Sequence, residues 1–139
     1  MTHQRVLELL LRFSGSLMLL ALVFVFAPES WMRDIHAWLG LGQLPDISII
    51  WYLTRSLSAF YALTGGLFWI LSSNISHYHS LLFYVACVTV GFGVVLAVID
   101  VWAGMPVSWT FTEGPLVVLV GVAKLYLLSH CPTTETKKL

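Results

Sequence analysis

Long apolar runs alternating with short polar stretches set the rhythm of this chain. A helix of about 20 apolar residues crosses the hydrocarbon core of a bilayer, and four runs meet that length, at about 6–27, 47–71, 81–103 and 113–128. Pro28 closes the first, and Asp46 and the Ser72–Asn74 stretch bound the second. Gly104, Met105 and Pro106 close the third, and Thr112 is the expected N-cap of the fourth. The runs are too long for strands and lack period-two alternation. The segment at about 28–39 is different. Trp31, Ile35, Trp38 and Leu39 share one helical face, Glu29, Ser30, Arg33, Asp34 and His36 fill the other, Pro28 stands at the expected N1 position and Gly40 supplies a stop. The pattern therefore predicts an all-α fold: an integral membrane four-helix bundle with a short amphipathic helix lying in the interface between spans 1 and 2.

Composition agrees. Of 139 residues, 58% are apolar and only 10% charged, against about 25% charged in soluble domains. The length suits a single transmembrane domain over 1–139, and zero net charge removes any case for nucleic-acid binding. Cys87 and Cys131 make neither a disulfide framework nor a zinc site. Val25, Phe26 and Ala27 resemble a signal-peptide cleavage site, but Pro28 follows at once, so the first run is read as a membrane anchor. Arg5, Lys137 and Lys138 flank the spans on the side that holds both termini, and Arg33 stands alone in a loop opposite. The excess of basic residues places both termini in the cytoplasm. Five of the six tryptophans (Trp31, Trp38, Trp51, Trp102, Trp109) then fall on the outer side as interfacial anchors.

Charges inside the runs are the candidate chemistry, since each costs roughly 2.5–3.5 kcal/mol in hydrocarbon and usually turns inward to a partner. Arg55, Asp100 and Glu113 all fall near the outer ends of their spans, which suggests one cluster with the arginine between two carboxylates. Arg55, Ser58, Ala62 and Gly66 share a face of span 2, as do Thr89, Gly93, Ala97 and Asp100 of span 3, so charge and small packing residues coincide. Such a cluster serves either as a clasp that fixes helix register or as a site for a polar ligand or proton. Toward the cytoplasm, Glu8 and Arg12 have the favourable i, i+4 order for an ion pair. Lys124 either joins Glu8 or, as the favoured reading, snorkels to the headgroups. His77 and His79 read as a solvated loop pair rather than a metal site, and Asn74–Ser76 as a chance glycosylation sequon. Catalytic motifs, cofactor motifs and metal-ligand spacings are lacking.

The segment Trp31–Gly42, Arg55 within YLTRSLSAFYALTGG, Asp100 within GFGVVLAVIDVWAGMP and the EGP at Glu113 resemble small four-helix membrane proteins of bacteria. The span layout is more distantly similar to DoxX-like four-helix proteins, some of which accompany quinone-linked oxidoreductases. The resemblance covers nearly the whole chain and implies a bacterial inner-membrane location. It supplies no activity and carries no catalytic residue across. The leading functional expectation is a structural or accessory subunit of a membrane complex, in contact with lipids and with other subunits or further copies of itself. The alternative is a transporter or binding protein for a small polar or lipid-like ligand at Arg55, Asp100 and Glu113. An enzyme using Asp100 or Glu113 as acid or base has no positive motif behind it.

Overall fold

A computed structural model describes residues 2–131. Lys137 and Lys138, part of the orientation argument, lie outside the described residues. The described chain is all helix and loop, in the order α1 (His3–Leu20), α2 (Leu22–Phe26), α3 (Glu29–Trp38), α4 (Ser48–Ser73), α5 (His79–Ala103) and α6 (Val107–Ser129). Four stretches are long and apolar enough to cross a membrane: His3–Phe26, Ser48–Ser73, His79–Ala103 and Val107–Ser129. The protein is an integral membrane protein.

Three details depart from the sequence reading. The first span is broken at Ala21, where the chain tightens into i→i−3 bonds, Ala21 N–H to the Met18 carbonyl at 3.1 Å and Phe24 N–H to the Ala21 carbonyl at 3.0 Å. Neither glycine nor proline marks that break. Pro28 is the N-cap of α3 rather than its first residue. The fourth helix starts at Val107 behind Pro106, well before Glu113, so Thr112 is no cap. Its hydroxyl instead donates back to the carbonyls of Ser108 (2.9 Å) and Trp109 (3.0 Å). The sequence reading took Gly114–Pro115 as a helix start because proline belongs in a first turn. Here Pro115 lies inside α6, where it has no N–H to donate and leaves the carbonyl four residues earlier without its usual partner.

Two glycines end helices as expected. At Gly40 (φ 76°) the Gly40 N–H bonds the Ala37 carbonyl and the Leu41 N–H bonds the His36 carbonyl. At Gly104 (φ 65°) the same pair runs to Val101 and Asp100. Both are Schellman stops, which require the left-handed conformation that glycine adopts without a Cβ penalty.

The chain divides into two compact units, Leu11–Ile70 and a second made of Met1–Leu10 with Leu71–Leu139. In the first, α1 and α4 meet backbone to backbone. A Cβ on Gly15 would stand 2.8 Å from the Gly65 carbonyl oxygen. Trp69 locks this crossing, its indole N–H donating to Ser16 Oγ (3.2 Å) and the Arg12 guanidinium lying 5.3 Å from its ring centre. Leu11, Met32, Trp51, Ala62 and Phe68 are buried here. In the second unit α5 and α6 run antiparallel, Gly93 against Gly114 and Val90 against Gly121. A Cβ on Gly114 would meet the Gly93 carbonyl oxygen at 2.8 Å, and one on Gly121 would meet the Val90 nitrogen at 2.8 Å. Leu7, Leu71, Ile75, Leu82, Ala86 and Leu128 form its buried core. Small residues that let backbones touch are the usual basis of helix packing in lipid, where the hydrophobic effect gives no drive for association.

Candidate functional site

Asp100 is the most unusual of the expected site residues. It lies in the last turn of α5 at 4% exposure, and its Oδ2 oxygen accepts no hydrogen bond from any described residue. Its position follows from the helix period. Leu82, Ala86, Gly93 and Asp100 are the buried residues of α5, and at 100° per residue they fall within about 40° of one another. Asp100 therefore occupies the centre of the packing stripe, in line with the glycine that touches α6.

Arg55 is placed otherwise. The contact stripe of α4 runs through Trp51, Ser58, Ala62 and Gly65, all buried. Arg55 and Gly66 lie to one flank of it, roughly 60° and 80° from Ser58. Arg55 is exposed, and a Cβ on Gly66 would meet nothing within 4 Å. The residue that makes the close approach is Gly65, one position before the expected Gly66. No acidic side chain of its own unit pairs with Arg55. Glu113 is half-buried in α6, and its Oε2 accepts the indole N–H of Trp109 at 2.6 Å. Arg55 belongs to one unit and Asp100 and Glu113 to the other, so the structure describes the two parts of the expected cluster separately.

Lys124 corrects a second reading. It is buried at 3% exposure beside Gly121 and Leu128, whereas a snorkelling lysine would hold its ammonium in water. Glu8 and Arg12 are both half-buried on α1.

The tryptophans divide into two groups. Trp31, Trp38 and Trp102 are exposed at 56%, 82% and 84%, but Trp51 is 7% exposed. Its indole N–H donates to Asp46 Oδ1 at 3.2 Å, and the Arg33 guanidinium lies 4.8 Å from its ring centre. Arg33 in turn meets Glu29 (3.3 Å) and Asp46 (3.4 Å). The Trp51 hydrogen bond, with the hydrogen bond and charge of Arg33, holds the Asp46 carboxyl below its ordinary range. The sequence reading missed this network, taking Arg33 and Asp46 for surface and boundary residues. The only signal was one basic and two acidic side chains around a short helix, next to a tryptophan.

Elsewhere in the second unit, His3 stacks on His130 with ring centres 4.9 Å apart, Tyr126 lying beside them. Burial pushes the Cys131 thiol up. Asn74 Oδ1 accepts the His77 N–H at 3.1 Å and shapes the link before α5. Among the described residues no group of three or more His, Cys, Asp or Glu could hold a metal ion. An open groove of about 700 Å³ runs along α5 and α6, lined by Gly93, Ala97, Val98, Trp102, Gly114 and Leu119 among others. A smaller one of about 240 Å³ lies at Trp109, Thr112, Glu113 and Leu116. Asp100 lines neither.

Fold and polar residues together define a small multi-span helical membrane protein with an ionisable residue in its helix packing. No family profile, curated protein or solved structure matches the chain.

Proposed function

We propose that the protein is an accessory subunit of a larger membrane complex, seated in a bacterial inner membrane with both termini on the cytoplasmic side. The observation that carries this reading is Arg55. It is exposed on α4, seven residues after the helix begins at Ser48, with no acid in its own unit to neutralise it. A guanidinium at such a depth calls for a carboxylate, a phosphate or a route to the headgroups. A carboxylate on a neighbouring membrane helix meets that need and fixes which helix docks there. The second reading is a binding protein for a polar or lipid-like ligand at Asp100, favoured by its unpartnered oxygen.

Photoreactive residues at Tyr52 and Ala59, which flank Arg55, test the subunit reading in native membranes. The expected product is a crosslink to a second membrane protein, lost in Arg55→Leu and retained in part in Arg55→Lys. Crosslinks to lipid alone, with an extracted particle whose mass Arg55→Leu leaves unchanged, sink it.

A further inference from the structure

Asp100 carries an inference independent of any partner subunit. A carboxylate taken out of water into a membrane-spanning helix needs a compensating positive charge or a set of donors, and an unpaired one is strongly destabilising. Here one carboxylate oxygen is buried with no donor. The position adds to the cost. Asp100 is in the last turn of α5, where the unpaired carbonyls concentrate the negative end of the helix dipole. Its own backbone carbonyl is the acceptor of the Schellman stop, bonded by the Met105 N–H at 3.0 Å, and the Val101 carbonyl takes the Gly104 N–H at 3.3 Å. Each carbonyl oxygen keeps a second lone pair. Helix C-terminal ends are where discontinuous helices in membrane transporters coordinate sodium ions.

We propose that Asp100 is the seat of a monovalent cation of the alkali type. One carboxylate balances one positive charge. A divalent ion draws on several carboxylates, and the described residues hold no acidic group of that size. The near-complete burial of the side chain selects a compact ion over an organic ammonium. The bound cation neutralises the carboxylate, which lets the centre of the α5 stripe pack as an apolar surface would.

The test uses the full-length protein in lipid nanodiscs, with thermal unfolding followed as choline chloride is exchanged for sodium or potassium chloride at constant ionic strength. The expected result is a saturable rise in the midpoint, about 3 °C or more, with one of the alkali ions. Asp100→Asn removes that dependence and unfolds in choline no earlier than the parent chain. A parent chain indifferent to both ions overturns the proposal. Should Asp100→Asn fail to fold, binding of radioactive sodium and potassium to the parent chain decides: saturable uptake of one ion per chain, resistant to choline, supports the site, and no uptake removes it.

Discussion

Trp51 shows how one side chain can resemble a membrane anchor and act as a structural post. Its place at the start of an apolar run suggested a ring among lipid headgroups, yet it is buried under Arg33 and tied to Asp46. The sequence could not reveal this, because the partners come from α3 and from the loop before α4, and only the folded path brings them together. Asp46 makes the arrangement measurable. Its folded-state pKa is lowered, so its contribution to stability is fully present above the unfolded carboxylate value of about 3.9 and is lost as pH falls through the folded value. Tryptophan emission is therefore expected to hold steady from neutrality down to about pH 4 and to shift red only in stronger acid. Asp46→Asn should abolish that acid step. A red shift already complete near pH 5 would show that another group controls the loop.

At the scale of the helix, periodicity located the spans well and the contacts within them less well. Four long apolar runs leave little choice of secondary structure, and the stops at Gly40 and Gly104 follow from glycine's backbone freedom. Which residue of a Gly-Gly pair faces a neighbour turns on 100° of rotation. Counting in steps of four carried the sequence reading from Ala62 to Gly66, whereas the true stripe returns by three to Gly65. The same drift places Arg55 on the flank of α4, while steps of seven keep Asp100 centred on α5. The two glycines make the test. Gly65→Ala pushes a Cβ into the backbone of α1 and should cost about 1–3 kcal/mol. Gly66→Ala meets open space and should be neutral or stabilising by up to about 1 kcal/mol, through higher helix propensity. Unfolding in mixed detergent micelles, followed by circular dichroism, compares them directly. Equal losses for both would refute the assignment of the crossing.

For the whole molecule, hydropathy was enough to give the class, and the basic residues predict an orientation that the helices alone do not show. Reporter fusions or cysteine labelling from either side are expected to find the His77–His79 link and both termini in the cytoplasm, with Gly40–Pro45 outside. Labelling of a cysteine at Gln43 from the cytoplasmic face would reverse the arrangement. Charge pairing was the least legible feature, because a sequence gives the depth of a residue in its span but not which neighbour it meets. Asp100 and Lys124 proved buried, Arg55 exposed, and Glu113 bonded to a tryptophan of its own helix.

The glycine crossings bear on how such a chain can change over time. Where backbones touch at Gly15 with Gly65 and at Gly93 with Gly114, helix spacing is set by main-chain atoms and owes little to the surrounding side chains. The many exposed leucines, valines and phenylalanines on the outer faces then need only remain apolar, and any of them can replace another at little cost. Two chains that kept these few small residues and the stops at Gly40 and Gly104 would fold alike while agreeing at few other positions. Kinship in such a fold is better sought in the spacing of its small residues than in overall identity.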